Sequence, residues 1–267
     1  MAESSARNWR RRILLPGLIP AFVLLAWVWV ARTECIPGYL FPPPEEIGRA
    51  ALDYLFGGTG EGPYAGRFLR DAWSSLFRVG CGFLIAAGLG VPLGVLSGRV
   101  ATARRLMGST INGLRAVPGI SWLPLAMVWF GIGMRTTVFL VALAAFFPVY
   151  LNAAAGARQV NPLLLQAGAM MGVRRLRGTF SILLPAAMPH IVTGLRLGLG
   201  ISWAYLVLGE LTGVPDGLGA VIMDARMLGR IDIIVVGMIL IAVMGRASDL
   251  LLTSTLRLCF MSVRRMQ

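Results

Sequence analysis

The chain has 267 residues, 57% of them hydrophobic and only 14% charged, with a net charge of +13 and a mean hydropathy of +0.74. Soluble domains hold about 45–50% apolar and about 25% charged residues. The composition therefore excludes an ordinary soluble domain and points to a membrane protein with room for about five or six helical spans.

All 25 basic residues are arginine. Without lysine the chain cannot complete a P-loop, whose Lys reaches the β/γ-phosphates, and cannot form a lysine Schiff base. Cys35, Cys81 and Cys259 are odd in number, far apart and lack C-x-x-C spacing, which argues against a disulfide framework or a zinc site. His190 is the only histidine, so no multi-His metal site is expected.

The N-terminal stretch "RNWRRRILLPGLIPAFVLLAWVWVARTEC" pairs a basic start with an apolar run from Ile13 to Ala31. That run exceeds the usual signal-peptide core of about 7–15 residues and no A-x-A-like site follows it; it reads as a retained first span. Five further apolar runs follow, at about 73–97, 106–131, 136–155, 190–209 and 232–252. Between the first two, Pro44, Glu45 and Glu46 suit a helical first turn. Ile47, Ala50, Ala51, Tyr54 and Leu55 share one face before Gly57-Gly58. That helix either lies at the outer membrane surface or packs on the protein's own loops.

The second span is laced with Gly80, Gly82, Gly88, Gly90, Gly94 and Gly98, which favours close helix packing in lipid. The third, "LRAVPGISWLPLAMVWFGIG", is interrupted by Pro118, Gly119 and Pro124. This is either a simple kink or a broken helix lining a cavity, because freed backbone groups at membrane depth need protein or water to satisfy them. Pro118, Gly119, Trp122 and Pro124 are accordingly the candidates for lining a pathway.

From about Gly156 to Pro189 the chain leaves the membrane pattern. Asn161-Pro162 fits a helix N-cap followed by Pro at the first position, and Gly172 fits the position that ends a helix. Between them "LLLQAGAMM" is too short to span and too apolar to face water. It is either a docking surface for a protein partner or a helix packed beneath the spans. Arg174, Arg175 and Arg177 follow at once.

With the N-terminus placed inside, the inside segments hold 14 arginines and the outside segments 7. The positive-inside rule is satisfied with both termini cytoplasmic, so the basic excess is a topology signal and nucleic acid is not expected as a partner. Arg78, Arg115, Arg196 and Arg246 lie in or near spans. They either snorkel or pair with neighbours (Arg246 with Asp249), or attract an anionic solute, with Arg115 beside the broken helix as the candidate. Glu210 reads as an ordinary interface acid, with a gate or proton site as the alternatives. The aromatics Trp122, Trp129, Phe130, Phe146, Phe147, Trp203 and Tyr205 read as packing or belt residues, a subset of which could form a constriction. No nucleophile elbow, H-E-x-x-H, Walker motif or dinucleotide fingerprint occurs, so a catalytic role is not expected.

The segment "QAGAMMGVRRLRGTFSILLP" carries a specific resemblance. Permease subunits of bacterial ABC importers have a cytoplasmic motif E-A-A, three residues, G, nine residues, I-x-L-P. Gln166-Ala167-Gly168, Gly172 and Ile182-Leu183-Leu184-Pro185 match its spacing, with Gln166 in place of Glu and Gly168 in place of Ala. From about Ala72 onward "WFGIG", "AFFPVYLNAAAG", "LLPAAMPHIVTGLRLGLGISW" and "GLGAVI" are similar to the nitrate/sulfonate/taurine branch, and the first span and "FPPPEEI" resemble it too. The resemblance implies an all-α membrane protein with six transmembrane helices of the type I ABC importer permease kind and a cytoplasmic coupling helix. Residues 1–71 would form an N-terminal span and periplasmic amphipathic segment, and 72–267 the permease domain. Gln166, Ala167, Gly168, Gly172, Ile182, Leu184 and Pro185 would couple to an ATPase.

The same resemblance implies a bacterial inner-membrane protein in contact with lipid and a second permease subunit, as a homodimer. It further implies two cytoplasmic ATPase subunits that bind ATP and Mg, and a periplasmic or lipid-anchored substrate-binding protein. No cofactor is expected in this chain itself. The expected cargo is a small anion such as a sulfonate, taurine, nitrate or bicarbonate-like solute. Import of a heterocyclic or vitamin-precursor nutrient is the alternative within the class, and an ATP-independent channel or scaffold the alternative outside it.

Overall fold

The structure is a computed structural model that describes residues 18–19, 21–22, 25–33, 40–58 and 63–259. Among the described residues all regular structure is helical. Of the first predicted span, about 13–31, residues 18–19, 21–22 and 25–31 are described and helical, and the rest lie outside the described residues. The chain divides into two compact units, one of Met1–Phe68 with Asp224–Val236 and one of Leu69–Met223 with Gly237–Gln267.

In the first unit, helix α1, Pro44–Phe56, has Pro and two acids in its first turn, where a missing N–H costs nothing and negative charge meets the helix dipole. It ends at Gly57, whose N–H donates to the Asp53 carbonyl at 2.7 Å. Ile47, Ala50 and Tyr54 are buried, and the Tyr54 ring meets Phe68 edge-on at 6.0 Å. The 47/50/54 face is thus packed against protein, which decides between the two readings of this helix for that face. Leu52 and Phe56, on the remaining surface, stay exposed. Burial pushes the Tyr64 phenol pKa up, and Asp224 adds to the shift.

Among the described residues, four helices are long and apolar enough to cross a membrane. They are α2, Phe68–Arg99, α5, Met134–Gln159, α7, Leu184–Glu210, and α9, Ile231–Cys259. Each runs past the predicted span it contains, because apolar residues mark only the stretch that lipid or core requires and helices continue beyond it.

Small residues bring these helices together. A Cβ on Gly94 of α2 would stand 2.5 Å from the Tyr150 carbonyl oxygen and 2.8 Å from the Ala153 Cβ; one on Gly98 would be 2.6 Å from both the Ala154 oxygen and the Ala157 Cβ. Gly82 and Gly90 meet Val141 and Val149 in the same way. The stripe therefore lets α2 lie directly on the α5 backbone, and the Tyr150 hydroxyl donates to Ser97 Oγ at 2.7 Å across the contact. A neighbouring face of α5 receives α7 at Gly194 and Gly198, with Val149 between Gly90 and Gly198. Gly80 and Gly88 have open space around them, so only the every-fourth stripe is packing. Gly94→Leu is expected to force α2 off α5 and lower the melting temperature in detergent by several degrees, whereas Gly88→Leu should leave it unchanged.

Of the two readings of the third predicted span, 106–131, the broken helix holds: two helical pieces meet at a turn. Helix α3, Ala101–Ala116, ends at Val117, and the residue before a proline is pushed from helical to extended backbone. After Pro118 comes a 3₁₀ turn, Gly119–Trp122, then α4, Leu123–Phe130. Pro124 starts α4 rather than breaking it, since it occupies the first turn. The Thr136 hydroxyl of α5 reaches back to the Gly131 and Ala126 carbonyls, which fixes the "WFGIG" turn between α4 and α5.

Candidate functional site

One end of α5 leads into a short helix with both termini closed by its own residues. Helix α6 is Pro162–Met170, and the Asn161 side chain accepts from the Leu163 N–H at 2.9 Å. At the other end Gly172 takes φ +80, a left-handed conformation that a side chain would strain. Its N–H donates to the Ala169 carbonyl and that of Val173 to the Gly168 carbonyl, each at 3.0 Å. These two bonds form a Schellman motif that satisfies the last carbonyls of α6. A helical turn, Arg175–Gly178, and a π turn, Thr179–Leu183, then deliver the chain into α7, with Pro185 in its first turn.

Of the predicted coupling residues, the structure brings Gly168 and Ile182 together. Gly168 is the buried residue of α6, and a Cβ there would overlap the Ile182 Cδ1. Glycine in place of the family's alanine therefore makes room for this side chain. Gln166 and Ala167 are exposed, Leu184 is half-buried and Pro185 is exposed. Leu163, Leu164, Met170 and Met171 are exposed as well, Met170 at 90%. The alternative of a helix packed beneath the spans does not hold, because only Gly168 is buried. The sequence reading missed that Leu176 and Phe180, at 79% and 68% exposure, extend this apolar surface past the helix. An open depression of about 600 Å³ lies beside it, lined by Gly172, Arg174, Leu176 and Arg177.

At the far end of the same helices lies a buried polar clasp. Asp71, Ser75 and Arg78 fall four and three residues apart on α2, hence on one face. The Arg78 Nη1 donates to Glu210 Oε1 at 2.6 Å and to the Asp216 carbonyl at 2.7 Å, while Nη2 reaches Asp216 Oδ1 at 2.5 Å. Glu210 is fully buried; it also accepts from the Ser75 hydroxyl at 2.8 Å and the Gly219 N–H at 2.8 Å. Asp71 accepts from the Gly217 N–H at 3.1 Å and Ser75 from the Leu218 N–H at 2.9 Å. Glu210 is therefore not an interface acid. It is the hub that ties α2 and the end of α7 to the loop opening α8, Leu218–Met227. The "GLGAVI" segment has its glycines for this reason. Gly217 stands at φ +123 beside Arg78 and Glu210, and a Cβ on Gly219 would lie 2.8 Å from the Glu210 Cβ.

The Binding-protein-dependent transport system inner membrane component family matches residues 90–258. The chain belongs to this family. It is thus a permease subunit of an ABC importer, in a family of inner-membrane components that work with ATPase and substrate-binding partners. The permease is 32% identical to the putative aliphatic sulfonates transport permease protein SsuC of Bacillus subtilis over 91% of this chain and 83% of the relative. It is also 32% identical to the taurine transport system permease protein TauC of Escherichia coli over 91% and 89%. Its fold matches a chain of the inward-facing MetNI methionine ABC transporter with a TM-score of 0.58, at 20% identity, over 70% of this chain and 95% of that one. The type I permease fold is established by that likeness together with the helical architecture.

The permease's other predicted site residues sit at the α3–α4 break. Arg115, Pro118 and Pro124 are exposed, and Gly119 and Trp122 half-exposed. Gly119 lies directly against the Tyr205 ring of α7, so the break is held by an aromatic contact and is more than a bend in one rod. Trp129, Phe130 and Phe139 cluster with centroids 5.4–6.2 Å apart. Trp203 is buried and donates to Ser248 Oγ at 2.9 Å. Of the four span arginines, Arg78 serves the clasp. Arg196 holds Asp249 through Nε and Nη2 at 2.8 and 2.9 Å, and Arg246 reaches the same carboxylate at 3.1 Å. The Arg246–Asp249 pairing was legible one turn apart; the Arg196 partnership joins different helices and was not.

Proposed function

We propose that this permease forms the pathway of an ATP-driven importer for a small anion such as a sulfonate, taurine, nitrate or bicarbonate-like solute. It lies in the bacterial inner membrane with both termini in the cytoplasm and works as a homodimer. Two ATPase subunits bind ATP and Mg and each grips one α6, and a binding protein delivers the solute from the other side. The observation that carries this reading is the α6 surface: a helix capped at both ends, apolar, and exposed at nearly every position but Gly168. A solvated face of that kind costs stability unless a partner covers it. The relatives named for sulfonates and taurine support the choice of a solute that carries an oxyanion group.

The test is uptake by proteoliposomes holding the permease, its ATPase and its binding protein. Labelled taurine and nitrate should accumulate only with ATP inside, and a vitamin precursor should not compete. Flux of either solute through the permease alone, without ATPase, would instead mean a channel.

A further inference from the structure

Arg196, Arg246 and Asp249 form a charged group inside the apolar stretches of α7 and α9. Arg196 stands about 6 residues inside the start of the apolar run 190–209 and Arg246 about 6 inside the end of 232–252, each about 9 Å along a helix rising 1.5 Å per residue. Both positions fall within a hydrocarbon core about 30 Å thick. The side chains are not enclosed: Arg196 is 47% and Arg246 66% exposed, against 20% for Asp249. Helix α9 is also the least covered of the four long helices. Trp203, buried against Gly245 and bonded to Ser248, fixes α9 to α7, so the two arginines are held on one side of a packed seam.

Two guanidinium groups on one carboxylate leave a formal charge of +1. Arg196 engages both Asp249 oxygens in a bidentate clamp, which spends its fork on the acid. Arg246 spends one nitrogen at 3.1 Å; most of its fork faces outward. Arginines within a span almost always face a protein interior or a water-filled cavity and mark ion paths. A guanidinium fork fits oxyanions with two acceptor oxygens, such as a sulfonate, nitrate or carboxylate.

We infer that Arg246, oriented by Asp249 and Arg196, is an oxyanion-binding site in the translocation pathway. This rests on the reading of the chain as an anion importer and names the site that reading lacked. It moves anion attraction from Arg115, at the exposed end of α3, to the centre of the helices. Asp249 keeps the net charge at one, so the anion is bound without being trapped.

The test uses the reconstituted importer with its three native cysteines changed to serine and Val243→Cys added, one turn from Arg246 and exposed. The probes are an anionic sulfonatoethyl and a cationic trimethylammonioethyl methanethiosulfonate. The anionic reagent should label position 243 about tenfold faster than the cationic one, and Arg246→Gln should bring the ratio to about one. Lack of labelling by either reagent would overturn the proposal, as would a ratio indifferent to Arg246→Gln. Taurine uptake in the same liposomes separates the two readings. If the cysteine-free importer moves no anion while labelling behaves as stated, the cargo assignment fails and the site stands. If uptake proceeds and labelling does not, the site fails alone.

Discussion

Arg78→Met should destabilise the permease by about 3–5 kcal/mol, the usual cost of stripping one partner from a buried ion pair. Glu210 would keep Ser75 and the Gly219 N–H but lose its cation in a place that water does not reach. The Asp216 carbonyl and carboxylate would lose their donor as well, so the loop before α8 should loosen with it. Thermal unfolding in detergent and proteolysis at that loop measure both effects. Glu210→Gln should cost less, because an amide still bonds Ser75. The double variant Arg78→Met/Glu210→Leu should recover part of the loss, since an apolar pair of similar volume avoids the stranded charge. Strict additivity of the two single changes would mean that the 2.6 Å contact is not coupled.

Leu163→Asp/Met170→Asp should leave folding intact and abolish transport. Both side chains are exposed, and surface changes away from special features usually stay within about 0.5 kcal/mol of the parent. Interface hot spots cost about 2 kcal/mol or more each, so two in one docking face should lower ATPase affinity, and with it uptake at limiting ATPase, by roughly 100- to 1,000-fold. Uptake and detergent melting curves on the same preparations separate a docking defect from a folding defect.

Much of this was legible because local chemistry wrote it. Asn161-Pro162 and Gly172 specify a helix from 161 to 172 through capping alone, and the bonds at both ends follow. Apolar runs located the four long helices for the same reason. The clasp was not legible, because it joins Arg78 to residues 132 and 138 positions away, and a lone Glu at a helix end carries no mark of its partner. The spacing of Asp71, Ser75 and Arg78 on one face of an apolar helix was the available signal. The break in the third span was legible at Pro118-Gly119, but Pro124 was not placed correctly, because a proline in a first turn starts a helix as readily as another ends one. Gly168, read as a departure from the family motif, makes sense only once Ile182 is seen lying over it.

The most direct test of α6 as the ATPase docking element is photo-crosslinking in the assembled importer. A benzophenone amino acid placed at Met170 should yield one adduct of the combined mass of permease and ATPase, captured from inverted membrane vesicles. The same group at Val128, 81% exposed on α4, should yield none. An adduct from Val128 equal to that from Met170, or none from Met170 in vesicles that still transport, would contradict the account.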